Sequence, residues 1–203
     1  MLNTIINYNL GNPKSIKNML SYLGIDAVIS DDLNVLKTAN RIILPGVGHF
    51  AHGMNQLDTL GISDIIKEHA LTAQRPILGI CLGMQLMTNF SEEGDVDGLG
   101  LIDAQTKKFQ LQDKSLKIPH MGWNEVSWQK ESPILNSLYE KPRYYFVHSY
   151  FVECNNQNDV LGTSHYGQDF VSVFQHDNII GMQFHPEKSH QFGMELLQNF
   201  TKL

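Results

Sequence analysis

Two kinds of hydrophobic spacing alternate along the first half of the chain. "TIINY" (4–8) is a short apolar run of the kind that forms a buried strand. Behind it, Ile16, Met19, Leu20 and Leu23 fall at i, i+3, i+4 and i+7, which predicts a helix over 13–23 with one buried stripe. Asn12 can cap that helix, Pro13 suits its first turn, and Gly24 suits its end. "DAVIS" (26–30) and "RIILP" (41–45) repeat the strand pattern. A helical stretch near 62–70 follows, then a strand at "PILGI" (76–80), then a helix from about Leu82 to Phe90. Continuously apolar strands separated by helices imply an α/β fold with a mostly parallel sheet covered on both faces.

The second half changes character. "KIPHMGWNEVSW" (117–128), "RYYFVHSYFVEC" (143–154), "DFVSVFQHD" (169–177) and "NIIGMQFH" (178–185) are short and β-rich, with turns between them. They predict antiparallel or mixed strands added to the sheet. An amphipathic helix over roughly 190–202 closes the chain, burying Phe192, Leu196, Leu197 and Phe200. With no internal repeat, linker or low-complexity segment, residues 1–203 read as a single domain.

Composition narrows the picture. Of 203 residues, 42% are hydrophobic and 18% charged, which suits a globular chain with a real core. A net charge of -6 with no basic block argues against nucleic acid or an anionic membrane as partner. No apolar run approaches the ~20 residues needed to span a bilayer, and the N-terminal stretch lacks the features of a signal peptide. Two cysteines, Cys81 and Cys154, make no disulfide framework, so free thiols in a cytoplasmic setting are expected.

Cys81 stands in Gly79-Ile80-Cys81-Leu82-Gly83, a G-x-C-x-G pattern between a predicted strand and a predicted helix. A nucleophile at such a turn is held in a strained backbone position, and flanking glycines let neighbouring elements approach closely. The helix N-terminus beyond it favours thiolate, the reactive form, and the Leu82 N–H is placed to stabilise an oxyanion. A lone cysteine in apolar surroundings is also an ordinary small hydrophobe, the better reading for Cys154. A cysteine nucleophile needs a base and the base an orienter. In "GMQFHPEKS" (181–189), His185 and Glu187 are two apart, on one side of an extended backbone, with Pro186 stiffening the link. "LPGVGHF" (44–50) offers a Pro-Gly-x-Gly loop that can turn N–H groups toward developing negative charge, or is simply a tight turn. "YFVHSY" (145–150) carries His148, Ser149 and Tyr150, polar contacts or an ordinary aromatic strand. No cluster has metal-ligand spacing, and nothing calls for a cofactor.

Together, "LPGVGHF", "GICLGMQLM", "SEEGDVDGLGLI" (91–102), "IPHMGWNEV" (118–126), "YFVHSY" and "GMQFHPEKS" resemble, in collinear order, the class I (triad) glutamine amidotransferases. Among these they are most similar to the glutaminase subunits of imidazole glycerol phosphate synthases, on "PHMGWN" and "HPEKS". The resemblance implies a Cys81–His185–Glu187 triad that hydrolyses glutamine through a γ-glutamyl thioester. It implies an oxyanion hole from Leu82 and the loop Gly46, Val47, Gly48. Gln85, His148, Ser149 and Tyr150 would contact bound glutamine. Ammonia would pass to a cyclase or synthase partner, a (β/α)₈ barrel in a heterodimer, met by Lys188 with Trp123 and Asn124 nearby. Asn9, Pro13 and His49 depart from the pattern expected of histidine-pathway members, and "HPEKSHQFGM" resembles versions that serve sugar amidation in surface-polysaccharide synthesis. That alternative keeps the glutaminase chemistry and changes the acceptor. A regulatory module with a dead triad is disfavoured by the filled triad positions, and a cysteine peptidase by Gln85 and Glu187.

Overall fold

A computed structural model describes residues 2–203. β1 (Asn3–Ile6) leads to α1 (Pro13–Tyr22), β2 (Ala27–Ser30) to α2 (Leu33–Thr38), and β3 (Arg41–Leu44) to α3 (Phe50–Thr59) and α4 (Ile62–Lys67). α4 runs on through a π-helical turn, Glu68–Thr72, before β4 (Ile77–Ile80) and the five-residue α5 (Leu82–Leu86). Short strands follow: β5 (Phe90–Ser91), β6 (Val96–Asp97), β7 (Ala104–Lys108), β8 (His120–Glu125), β9 (Ser127–Trp128), β10 (Arg143–His148) and β11 (Tyr150–Cys154). β12 (Val160–His165), β13 (Asp169–His176), β14 (Ile179–Met182) and α6 (His190–Phe200) complete the chain.

The local rules are visible in α1. The Asn12 side chain accepts from the Ser15 N–H at 3.2 Å, Pro13 opens the helix, and Gly24 ends it at φ +72°. Ile16 and Leu20 are fully buried, as the stripe requires.

The main sheet has 12 strands, and its spine runs β2-β1-β3-β4-β14, all parallel. Beyond β14, β13 and β11 add antiparallel, and β7, β5 and β6 extend that edge. Side chains of the spine alternate between its two faces. Ile5, Ile43, Leu78 and Ile180 pack with Ile16 and Leu20 of α1 and with Leu196, Leu197 and Phe200 of α6. Ile6, Ile42, Ile77 and Ile179 pack with α2, α3 and α4 through Leu36, Phe50, Leu57 and Ile66. Burial on both faces is why the strands inside the spine are largely apolar, with Asn3, Thr4 and Arg41 as buried polar exceptions. None of the helices among the described residues is long and apolar enough to cross a membrane.

Several expectations need correction. α2 and α3 gave no clear signal, because α2 buries only Leu36 and the stripe of α3, Phe50, Gly53 and Leu57, is thinned by glycine and polar residues. The helix after Cys81 stops at Leu86, since Phe90 already pairs as a strand. "KIPHMGWNEVSW" and "RYYFVHSYFVEC" each divide. β8 and β10 form a separate two-stranded antiparallel ribbon, while β9 and β11 join the main sheet. α6 ends at Phe200, and Phe192 is only partly buried.

Candidate active site

Cys81 sits where β4 turns into α5, at φ 54° and ψ -110°, a backbone conformation that costs any residue with a side chain. The strain is held by close packing on either side. A Cβ on Gly83 would lie 1.9 Å from the Leu44 carbonyl oxygen, and one on Gly79 would lie 2.6 Å from that of Gly83. Only glycine lets the turn sit this close to β3. The Cys81 N–H donates to the Met182 carbonyl at 2.7 Å, tying the elbow to the end of β14. Because α5 has five residues, its dipole is weaker than the nine-residue expectation implied; the N–H groups of its first turn still lack partners within the helix.

β14 runs parallel beside β4 with Gly181 opposite Gly79 and Met182 opposite Ile80. The chain beyond β14 therefore passes the elbow, and His185 comes up against Cys81. His185 Nδ1 lies 2.8 Å from Glu187 Oε1, and both side chains are nearly inaccessible, at 2% and 4% exposure. His185 Nε2 has no hydrogen-bond partner. The Cys81 sulfur lies close enough to couple to the charge of the ring. Burial works against a charged His185, yet Cys81 and Glu187 outweigh it and push the ring up to about 10. The main chain here is pinned: Ser189 Oγ donates to the His185 carbonyl at 2.6 Å and accepts from the Tyr145 N–H at 3.0 Å.

A cleft of about 300 Å³ opens in front of the sulfur, the size for a small metabolite. Cys81, Leu82 and Gln85 form its floor, Val47 and Gly48 one wall, and His148, Ser149 and Tyr150 another. Gly46 lies behind that wall, where a Cβ would meet Tyr8 Oη at 2.7 Å and the Gly83 nitrogen at 2.8 Å. Tyr8 Oη donates to the Pro45 carbonyl at 2.6 Å, at the root of the loop. Burial, aided by Cys81, raises the Tyr8 hydroxyl far above its ordinary range and keeps it a donor. A depression of similar volume beside the end of α6, lined by Asn136, Glu195 and Lys202 among others, contains no cysteine or histidine.

Polar side chains behind the cleft form one connected set. His148 Nδ1 lies 2.7 Å from the Tyr150 carbonyl, which can only accept, so Nδ1 carries the proton. His148 Nε2 then accepts from His120 Nδ1 at 3.0 Å, across the β8–β10 ribbon where these two residues stand opposite each other. Burial pushes His120 down to about 4; burial, with His120 and His185 nearby, pushes His148 down to about 3, against the opposing pull of the Tyr150 carbonyl. Both rings are neutral near pH 7.

Trp123 and Lys188 meet on the outer side of the same ribbon, both against Tyr145, whereas Asn124 lies on the opposite face of β8, with His120. Trp123 is 39% exposed and stacks on His190 with ring centres 5.4 Å apart. It meets Tyr145 edge-on at 6.2 Å, and Lys188 Nζ lies 5.8 Å from the Tyr145 ring centre. Asn124 Nδ2 donates to the His165 carbonyl at 2.9 Å. Met121, at 62% exposure, extends the apolar surface.

Sequence reasoning missed four members of this region. Glu93 lines the cleft and accepts from the Phe50 N–H at 2.8 Å. Gln183, Ser189 and His120 are buried polar groups within or beside recognised stretches. The signal for them was a polar residue inside an apolar run, as in "GMQFH". Among the described residues, no group of three or more His, Cys, Asp or Glu is arranged to hold a metal ion.

Residues 4–203 match the family model described as glutamine amidotransferase class-I. The chain is 50% identical over 198 residues to imidazole glycerol phosphate synthase subunit HisH 2 of Methanococcus maripaludis, covering 98% of each. It is 45% identical over 199 residues to the subunit of the same name from Pseudomonas aeruginosa, again covering 98% of each. The fold also resembles a solved chain of PurLQS from Thermotoga maritima, with a TM-score of 0.72 at 21% identity over 99% of this chain and 97% of that one. A strained cysteine elbow beside a His–Glu pair, in a chain that matches this family from β1 to its last residue, leads to one conclusion: the chain belongs to the class I glutamine amidotransferases.

Proposed function

We propose that this chain is the glutaminase subunit of an imidazole glycerol phosphate synthase, supplying ammonia for histidine biosynthesis. The observation that carries this reading is the meeting of Cys81 with the His185–Glu187 pair at one cleft. The identities of 50% and 45% to synthase subunits over nearly full length support the choice of pathway over sugar amidation.

In this reading the Cys81 sulfur attacks the side-chain amide carbon of glutamine. The carbonyl oxygen becomes an oxyanion, met by the Leu82 N–H and an N–H from the Gly46–Val47–Gly48 loop. His185, held by Glu187, gives its proton to the departing nitrogen, and ammonia leaves a γ-glutamyl thioester. His185 then takes a proton from water, which attacks the thioester and releases glutamate. Gln85, His148, Ser149 and Tyr150, with Glu93 beside them, hold the amino-acid end of the substrate.

Ammonia passes to a cyclase subunit, a (β/α)₈ barrel that docks on the ribbon through Trp123, Asn124 and Lys188. One domain over 1–203 performs the glutaminase half in the cytoplasm. The loop at 45–48 is the element that answers to docking, its donors turned away until the partner binds.

The test is a glutamine-like electrophile, 6-diazo-5-oxo-norleucine, followed by mass spectrometry. Covalent mass on Cys81 is expected; mass elsewhere or none defeats the reading. In the purified complex, Glu187→Gln should slow glutamine hydrolysis less than His185→Ala, because packing partly replaces an orienter but not a base. Equal losses would contradict that order.

A further inference from the structure

Gln183 is the first residue beyond β14, and its side chain is 0% exposed between two apolar neighbours, Met182 and Phe184. A buried amide is costly unless its donors and acceptor are used. Its backbone N–H donates to the Ser172 carbonyl at 2.8 Å, so the side chain is held at the level of the elbow by the sheet itself.

The direction of the amide follows from one fixed group. The Tyr150 carbonyl can only accept, and Gln85 approaches it at 3.0 Å, so the Gln85 atom there is Nε2. The same Nε2 lies 3.0 Å from the Gln183 amide. Gln183 must therefore present its oxygen to Gln85, which turns its own Nε2 toward Cys81 Sγ, 3.8 Å away. On another side the sulfur faces the Val147 carbonyl at 3.9 Å, an acceptor that suits the S–H but opposes the thiolate. Among these two neighbours, only Gln183 offers the thiolate a donor. Gln85 spends both N–H groups on Tyr150 and Gln183, which leaves its Oε1 for the cleft it lines.

We propose that Gln183 is a positioning residue of the glutaminase site, holding the Cys81 sulfur with an N–H and fixing Gln85 with its carbonyl available to the substrate. The inference rests on the glutaminase reading above. It joins two functions in one amide, nucleophile and substrate recognition, through residues 98 and 102 positions away in sequence.

The experiment compares Gln183→Met and Gln183→Glu with the unaltered chain. Methionine keeps the volume and removes the donor; glutamate keeps the shape and puts an oxygen opposite the sulfur. Folding is checked by circular dichroism and melting, so that one soluble variant suffices. Alkylation of Cys81 by iodoacetamide at pH 8 is measured on the chain alone, and glutamine KM on its complex with the cyclase subunit. The expected result is alkylation about tenfold slower in both variants, the scale of one hydrogen bond to a charged group, and a KM about tenfold higher in Gln183→Met, which alone loses the acceptor for Gln85. Synthesis from free ammonia in the complex should be unchanged. A folded variant with unaltered alkylation and unaltered KM overturns the proposal while leaving the glutaminase reading intact. Cys154 is the internal control: burial, with Asp159 and other acidic groups near it, pushes its thiol up to about 12. If Cys81 of the unaltered chain reacts no faster than Cys154, the glutaminase reading fails, and this inference fails with it.

Discussion

Cys81 is set apart by its backbone as well as its side chain. At φ 54° it occupies a region that glycine tolerates and other residues resist. Two substitutions separate strain from chemistry. Cys81→Ala should reduce glutamine hydrolysis in the complex by at least about 10³-fold while sparing synthesis from ammonia. Cys81→Gly should be equally inactive but about 1 kcal/mol more stable than the alanine variant, because it releases the turn; equal melting of the two would show the elbow to be unstrained. His185 adds a pH dependence whose sign is fixed. Its ring is held up at about 10 in the fold, against about 6.5 when unfolded. Its contribution to stability is complete below about 6.5 and lost as pH rises through about 10. Melting should therefore fall from pH 7 to 10 more steeply in the unaltered chain than in Cys81→Ala, where the sulfur that supports the charge is gone. Parallel curves would refute the coupling.

At the scale of elements, the β8–β10 ribbon stands apart from the main sheet and joins the outer surface to the cleft wall. Its register places His120 opposite His148, and their hydrogen bond requires the accepting ring, His148, to stay neutral. Folded, they take up protons only near about 4 and about 3; unfolded, near about 6.5. Between those limits the unfolded chain binds more protons, so stability falls as pH falls from about 6.5 toward 4. His120→Gln keeps an N–H toward His148 and removes one titrating ring. It should flatten the acid side of the melting profile; an unchanged slope would mean that other groups set it.

For the whole molecule, the cleft exists because two halves of the chain are laid side by side. The first half of the chain brings the cysteine elbow, the second half brings the His–Glu pair and the ribbon, and the parallel strands β4 and β14 are where they meet. The exposed Trp123–Tyr145–Lys188 cluster lies on the outer side of that ribbon. Trp123→Ala should weaken binding of the cyclase subunit at least about tenfold, the scale of an aromatic anchor. Alkylation of Cys81 in the chain alone should not change. Glutamine hydrolysis by the chain alone should be slower than in the complex with acceptor bound; equal rates would remove the 45–48 loop as a switch.

Much of this is legible in short-range signals along the sequence. A cysteine between two glycines, a histidine and glutamate two apart, and a capped helix with a four-point stripe are written among near neighbours, where the physics is local. α/β alternation was equally legible, because strands buried on both faces are largely apolar. The separate ribbon, the short α5, and the placement of Glu93, Ser189, His120 and Gln183 were decided by tertiary structure alone. Each depends on strand register or on contacts between distant segments. A buried amide such as Gln183 looks like any polar residue in a row of letters; its meaning comes from the carbonyl and the sulfur that folding places at its two ends.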